Sequence, residues 1–182
     1  RYRILVARAI EAEQRVAAGQ QELARNVAIS AYRLMAYKDE YEVARLYSGE
    51  EFRASLAAQF SSHSKLSLWL APPLLSRIDP VTGRPRKRKF GPWIFTAMRL
   101  LAGMKGLRGT ALDIFGYTAE RKMERALPGE YSAMIFRHLD GKLDLPRLVA
   151  LAKMPEVVRG YGHIKEANVA RYRAECARIE GE

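Results

Sequence analysis

Apolar residues recur at intervals of three and four through most of this chain, and that spacing constrains the fold more than any other feature. Phe52, Leu56 and Phe60 repeat every four residues, which places their side chains on one face of an α-helix. Similar stripes predict further helices, with these residues on their buried sides: Ile4, Ala7 and Ile10; Leu23, Val27, Leu34 and Met35; Tyr41, Ala44 and Leu46; Trp93, Ala97, Leu100, Leu101 and Met104; Tyr131, Ile135 and Leu139; Leu148, Leu151 and Ala152; Val169, Tyr172, Cys176 and Ile179. The sequence therefore predicts a mainly α fold.

One stretch departs from the helical spacing. Leu66, Leu68 and Leu70 alternate with polar or aromatic neighbours, as in a half-buried strand. The segment DPVTGRP, residues 79–85, favours a turn because proline presets φ and glycine tolerates a left-handed conformation. The basic residues that follow would return against residues 71–78. We therefore predict a helical domain with one small β-hairpin or short antiparallel sheet.

The residue inventory offers little for metal or redox chemistry. The chain has 182 residues, enough for one ordinary domain with a core. Cys176 is its single cysteine, and His63, His138 and His163 lie far apart. Structural zinc and iron–sulfur centres need about four ligands at close spacing. No phosphate-binding loop, dinucleotide fingerprint or nucleophile–base motif is present. We therefore assign no catalytic residue and no metal ligand.

Location follows from the same inventory. No apolar run is long enough to span a bilayer, so we expect no membrane partner. A single thiol fits a reducing compartment, so we expect a cytoplasmic protein. The chain opens on Arg1 inside a helical pattern, and we expect it to be a segment of a longer polypeptide.

Positive charge is concentrated in one part of the chain. The net charge is +11, and residues 76–109 carry nine cations against Asp79 alone. Residues 1–60 and 110–182 each carry a net charge of only +1. Within the basic region, GRPRKRKFGPW (residues 83–93) contains the cluster that we name the basic strip: Arg84, Arg86, Lys87, Arg88 and Lys89. Such a concentration of charge predicts a surface that meets an anionic partner.

Three partners fit the basic strip. Arginine forks bind phosphates in two-pronged fashion, which suits a phosphorylated cofactor such as coenzyme A. An acidic neighbouring domain or subunit would be met equally well. A nucleic acid is the third possibility, because Phe90 and Trp93 lie beside the cations and aromatic rings stack on bases. Trp93 also fits the apolar face of the following helix, and we expect it to be buried there.

Two further segments supply candidate anion ligands. Arg108 lies in the glycine-bounded segment MKGLRGT, residues 104–110. In VVRGYGHIKE, residues 157–166, Gly160 and Gly162 precede a helix start and leave backbone N–H groups beside Arg159, His163 and Lys165. A helix N-terminus with free N–H groups attracts anions. These four side chains complete the set of candidate anion-binding or docking residues.

Several blocks taken together resemble a known family. They are LMAYKDEYEVARLY (34–47), LAPP (70–73), GRPRKRKFGPW (83–93), MKGLRGT (104–110), LDIFGYTAERKMER (112–125) and RGYGHIKEAN (159–168). In this order they resemble the C-terminal region of the fused bacterial indolepyruvate ferredoxin oxidoreductases. The resemblance implies that residues 1–47 are the tail helices of a preceding gamma-type catalytic domain. It implies that residues 48–182 are an α-rich C-terminal accessory domain.

The resemblance also implies a parent enzyme. That enzyme would oxidatively decarboxylate aryl 2-oxoacids such as indolepyruvate to acyl-coenzyme A and pass the electrons to ferredoxin. It would use thiamine diphosphate, magnesium, 4Fe–4S clusters and coenzyme A, all bound by other domains, and would form a homo-oligomer. This segment would assist through its basic strip, by phosphate binding or by docking on the other domains. A purely structural docking module and a nucleic-acid-binding module are the alternatives.

Overall fold

The structure is a computed structural model that describes residues 1–37, 39–60, 66–72, 79–80, 86–141 and 143–181. Eight α-helices and one two-stranded antiparallel sheet make up the regular structure of the described residues. Their bounds are α1 Tyr2–Val16, α2 Glu22–Met35, α3 Glu40–Ser48, α4 Glu50–Gln59, β1 Leu68–Leu70, β2 Arg88–Phe90, α5 Trp93–Gly103, α6 Ala119–His138, α7 Leu145–Lys153 and α8 His163–Gly181. Short 3₁₀ turns follow α5 at Met104–Leu107 and α7 at Met154–Val157. The predicted mainly α fold with one small antiparallel sheet is confirmed.

The chain forms two compact units. The first unit combines Arg1–Tyr37 with Phe115–Glu182, and the second is the continuous segment Lys38–Ile114. These boundaries differ from the division at residue 47 that the sequence suggested. The assignment of residues 1–47 to a catalytic domain stays a prediction.

The first unit is held by an apolar core between its helices. Tyr131 and Ile135 of α6, Leu151 of α7 and Val169 of α8 are at most 1% exposed. The predicted buried sides of α7 and α8 are confirmed, as are Tyr131, Ile135 and Leu139. The Tyr131 hydroxyl donates to the Ala152 carbonyl at 3.0 Å, so its polar end is satisfied inside the core.

A buried carboxylate joins the first two helices of this unit. Glu13 on α1 is 1% exposed and accepts the backbone N–H groups of Leu23 and Ala24 at 2.8 and 3.0 Å. These donors lie in the first turn of α2, where N–H groups have no partner within the helix and a negative charge is favoured by the helix dipole. Glu13 therefore caps α2 from the neighbouring helix.

The second unit is built on a smaller core. Ala44 of α3 and Ile94 and Met98 of α5 are buried, and Leu68, Leu70 and Phe90 of the two strands pack against them. α4 has no buried residue. The Phe52 ring of α4 instead stacks on the Phe95 ring of α5, with ring centroids 6.2 Å apart. The small sheet and α3 thus cover one side of α5.

The predicted buried face of α1 was wrong and that of α5 was only partly right, although both helices are present. In α1 the buried residues include Leu5, Ala9 and Ala12, whereas Ile4 and Ile10 are exposed. In α5 the predicted Ala97 and Leu101 pack against the core beside Ile94 and Met98. Four residues that were predicted to be buried are exposed: Trp93 and Leu100 of α5, Met104 after α5, and Met35 of α2. Both helices carry apolar residues on more than one side. Periodicity alone could not choose which side faces the core.

The sheet uses a different pairing from the one expected. β2 pairs with β1 in the register Leu68↔Phe90, Trp69↔Lys89 and Leu70↔Arg88, and residues 73–78 of the expected partner segment lie outside the described residues. The alternation of Leu68, Trp69 and Leu70 is confirmed, because Trp69 is exposed and the two leucines are half-buried. The segment 81–85 that was expected to turn lies outside the described residues.

Within the part of the chain that the structure describes, no helix combines the length and the hydrophobicity that a membrane crossing needs.

Candidate functional site

Four members of the basic strip lie along one short strand. Arg88 and Lys89 belong to β2, and Arg86 and Lys87 immediately precede it. All four are exposed. Arg84, the fifth member, lies outside the described residues. The strip is therefore a surface feature of the second unit.

The four cations differ in their pairing. Arg86 donates from Nε to Oδ2 of Asp79 at 3.0 Å. Lys87, Arg88 and Lys89 form no ion pair with any carboxylate among the described residues. Three adjacent like charges repel one another when nothing offsets them. An anionic partner would relieve that repulsion.

The pairing register places the cations on two sides of the sheet. Lys89 stands opposite Trp69, and Arg88 stands opposite Leu70. Because side chains alternate along a strand, Lys87 shares the side of Lys89. Trp69 on that side is 63% exposed. One side of the sheet therefore presents an indole ring between cationic side chains.

A second exposed indole lies at the start of α5. Trp93 is 62% exposed, and its ring meets Phe90 edge to face with centroids 5.8 Å apart. The expectation that Trp93 is buried was wrong. The helix buries Ile94 in its place. Exposed tryptophan beside cationic residues is typical of the composition of interfaces.

Arg108 is engaged inside the second unit. Its Nε lies 2.6 Å from Oδ2 of Asp39, and its Nη2 donates to Oδ1 at 2.8 Å. Asp39 is fully buried and also accepts the backbone N–H of Glu42 at 2.9 Å as the N-cap of α3. The guanidinium lies over the Tyr41 ring, 6.0 Å from its centroid. The contacts favour a structural role for Arg108, with its carboxylate ligand supplied by the chain itself.

The turn around Arg108 contains a second buried carboxylate. Asp113 is 1% exposed and accepts from the Tyr41 hydroxyl at 3.1 Å and from the Gly109 N–H at 2.8 Å. Gly109 has φ +78°, a left-handed conformation that glycine adopts without penalty. α5 spans eleven residues, about 16 Å at 1.5 Å per residue, and separates Arg108 from the basic strip along the chain.

The RGYGH turn of the first unit already holds internal carboxylates. The Gly162 N–H donates to Oε1 of Glu120 at 3.0 Å. Lys165 forms an ion pair with Glu124, which is 3% exposed and also pairs with Arg121. The arrangement that predicted an external anion is thus partly occupied by the chain. The spacing of Arg121 and Glu124, three residues apart on a helix, was the signal in the sequence for this network.

The other two candidates of this turn lie at the surface. Arg159 is exposed and donates from Nε to the Glu156 carbonyl at 2.9 Å. His163 is exposed at the first residue of α8. Their role in binding an anion stays a prediction. Arg159, His163 and Lys165 belong to the first unit, and Arg86–Lys89 and Arg108 belong to the second.

The single thiol is not placed for nucleophilic chemistry. Cys176 is 5% exposed, and burial raises its pKa to about 12. A thiol reacts as its thiolate, so little of this group is reactive near neutral pH. Among the described residues, no group of three or more His, Cys, Asp or Glu side chains is arranged to hold a metal ion.

A family model covers nearly the whole chain. The model of a family of unknown function, DUF6537, matches residues 1–178. No curated protein and no solved structure matches the chain. The match covers both units and all of the described candidate residues.

Proposed function

The chain belongs to DUF6537, a family of unknown function, and from this premise we propose that it is a docking segment of a larger 2-oxoacid:ferredoxin oxidoreductase. In this proposal the basic strip binds an acidic surface of the same protein or of a second subunit. The parent enzyme would oxidise indolepyruvate or another aryl 2-oxoacid with thiamine diphosphate, magnesium, 4Fe–4S clusters and coenzyme A. This segment would be cytoplasmic and would supply contacts, not catalytic groups.

One observation carries the docking role: Lys87, Arg88 and Lys89 are exposed and form no ion pair with any described carboxylate. Along a strand, successive side chains point to opposite sides and advance about 3.3 Å per residue. The charges are therefore spread out instead of converging, with Lys87 and Lys89 on one side of the sheet and Arg88 on the other. A small phosphate group is bound best by donors that converge on it, whereas a spread row suits an extended acidic surface.

The exposed aromatic rings support the same role. Trp69 lies among the cations of the strip, and Trp93 follows the strand by three residues. Tryptophan and arginine are enriched at protein interfaces and often carry much of the binding energy. Burying such an exposed apolar side chain in an interface stabilises the complex by about 25 cal/mol per Å² of apolar surface removed from water.

The enzymatic context is supported by the six sequence blocks that resemble the fused indolepyruvate ferredoxin oxidoreductases. Its test is the complete protein that contains this chain, purified without oxygen. We expect it to reduce ferredoxin when given indolepyruvate, coenzyme A and thiamine diphosphate. No reduction with any aryl 2-oxoacid would overturn the enzymatic context and leave the docking role to be judged separately.

The docking role is tested by lysine acetylation of the complete protein, read by mass spectrometry. We expect Lys87 and Lys89 to react at least about tenfold more slowly than Lys122, which is also exposed in this chain, because a docked strip is shielded. The triple variant K87E/R88E/K89E replaces the docking cations with acidic residues and should lower the Tm of the complete protein. The matched control R3E/K122E/R171E changes the same charge at exposed positions of the first unit.

A second candidate, coenzyme A binding, is favoured by the arginine content of the strip. It predicts that Lys87 and Lys89 become protected only when coenzyme A is added, and that the triple variant weakens coenzyme A binding. Equal labelling of Lys87, Lys89 and Lys122 with and without coenzyme A would contradict both roles. A nucleic-acid role would instead show protection by added RNA or DNA that falls steeply with salt.

A further inference from the structure

A small apolar pocket lies in the second unit, which also carries the basic strip. Its volume is about 190 Å³. Tyr47, Phe52, Leu56 and Phe95 form apolar walls, and Arg53 and Arg99 lie at its edge. Phe95 follows the exposed Trp93 by two residues on α5. The pocket and the strip therefore begin within the same short stretch of chain.

The walls of the pocket are ordered by aromatic contacts. The Tyr47 and Phe52 rings meet edge to face with centroids 5.2 Å apart, and Phe52 stacks on Phe95 at 6.2 Å. These contacts fix rings from three consecutive helical elements around one space. The parts of these rings that line the pocket are apolar, and a side chain inserted into the pocket would cover them.

The volume decides what class of group the pocket can hold. Sites for cofactors and drug-sized ligands occupy roughly 300–1,000 Å³, and a cavity of about 150 Å³ accommodates a benzene ring. A volume near 190 Å³ therefore suits one aromatic or branched aliphatic side chain. It is too small for a nucleotide-containing cofactor.

Two arginines of the pocket lining, Arg53 and Arg99, determine the charge that an inserted side chain would meet. Arg53 donates from Nη2 to the Ser48 carbonyl at 3.2 Å. Arg99 is exposed and forms no ion pair with any carboxylate of the described residues. The second unit also carries the unpaired Lys87, Arg88 and Lys89. A group that enters the pocket thus meets positive charge at its edge.

We propose that this pocket receives a single large apolar side chain from an acidic peptide segment that docks on the second unit. This inference rests on the proposed docking function and names the partner's chemistry: acidic residues for the strip and for Arg99, with one aromatic or branched anchor for the pocket. Anchors of this kind, buried in a pocket and ringed by polar contacts, carry much of the energy of protein interfaces.

The test is an NMR titration of the isotope-labelled chain with three probes. The first is a short acidic peptide with one central phenylalanine, the second is the same peptide with alanine in its place, and the third is phenylpropionate. We expect the phenylalanine peptide to shift resonances of Phe52, Phe95 and Arg99 and to bind about tenfold more tightly than the alanine peptide. The alanine peptide keeps its acidic residues and should therefore shift the strip and Arg99, but not Phe52 or Phe95.

Two pairs of variants locate the binding site. L56W fills the pocket and should weaken the phenylalanine peptide about tenfold, whereas its control A54W adds the same ring on an exposed residue of α4 and should change nothing. R99Q should weaken both peptides, and its control K105Q, an exposed cation that does not line the pocket, should weaken them less.

The outcomes separate this inference from the docking role. Equal affinities and identical shifts for the two peptides overturn the pocket proposal while leaving the strip as the docking element. Phenylpropionate that binds as tightly as the phenylalanine peptide also overturns it, because the pocket would then select a free small anion. A second outcome supports the pocket but contradicts docking within the parent protein. In that case L56W loses peptide binding, while Lys87 and Lys89 of the complete protein react with the label as fast as Lys122.

Discussion

At the scale of single residues, buried carboxylates organise both units. Glu13, Asp39, Asp113 and Glu124 are each at most 3% exposed, and each accepts hydrogen bonds or ion pairs from the chain. A buried charge is expensive unless it is paired and hydrogen-bonded. Their partners therefore stabilise the fold, and two of the predicted anion ligands, Arg108 and Lys165, contact these carboxylates.

Glu13 gives a test at this scale. E13Q removes the charge and replaces one acceptor oxygen with an amide that faces a backbone donor, so we expect the free energy of unfolding to fall by about 2 kcal/mol, within the range for hydrogen bonds to charged groups. Urea denaturation measures this change. The control E11Q alters an exposed carboxylate and should remain within about 0.5 kcal/mol of the parent chain. Equal stabilities for the two variants would show that the cap contributes nothing.

At the scale of elements, the second unit depends on a connection between the start of α3 and the turn after α5. Asp39 caps α3 and binds Arg108, while Tyr41 of α3 donates to Asp113 beyond the turn. Both contacts join segments about 70 residues apart in sequence. They fix the 3₁₀ turn Met104–Leu107 at the end of α5 against the N-terminus of α3.

Arg108 tests this connection. R108A removes the guanidinium that pairs with Asp39 and leaves that buried carboxylate without its cation. We therefore expect the free energy of unfolding to fall by about 2–3 kcal/mol. This is below the 3–5 kcal/mol of a fully buried pair because the Arg108 side chain is 41% exposed. Urea denaturation followed by circular dichroism measures it.

The matched control is Arg45. It pairs with Glu42 at the surface, at 2.7 Å, and such pairs contribute about 0–1 kcal/mol. R45A should therefore leave stability nearly unchanged. If R108A lowered the free energy of unfolding as little as R45A and instead weakened anion binding, Arg108 would be an anion ligand rather than a structural contact.

At the scale of the whole molecule, net charge and its distribution are separate properties. The chain has a net charge of +11, and three adjacent exposed cations, Lys87, Arg88 and Lys89, form no ion pair among the described residues. A concentrated patch produces a stronger local potential than the same charge scattered over the surface. Binding to an anionic surface should therefore depend on where charge is removed.

Cation-exchange chromatography tests this difference. K87E/R88E/K89E and the control R3E/K122E/R171E each reverse three cations, and since each reversal lowers the charge by two, both have a net charge of +5. We expect the strip variant to elute at clearly lower salt than the control, because the patch dominates contact with the resin. Coincident elution would mean that the strip acts only through net charge.

Local patterning predicted much of the fold and of the candidate surface. Thr118 accepts from the Arg121 N–H as the N-cap of α6, a position that favours threonine, and the stripe Val169, Tyr172, Cys176 and Ile179 is buried as predicted. Thr118 acts on its own helix, and α8 has one clearly apolar side. The basic strip was visible because its members are adjacent in sequence.

What the sequence determined by itself is what acts over a few residues: the helices, the strand that contains Trp69, and the run of cations. The tertiary structure decided which apolar side of α1 and α5 is covered, that Trp93 faces solvent, and that Arg108 and Lys165 meet buried carboxylates. The Lys165–Glu124 and Arg108–Asp39 contacts join residues about 40 and about 70 positions apart. Such contacts form only when distant segments pack, and the spacing of neighbours along the chain carries no information about them.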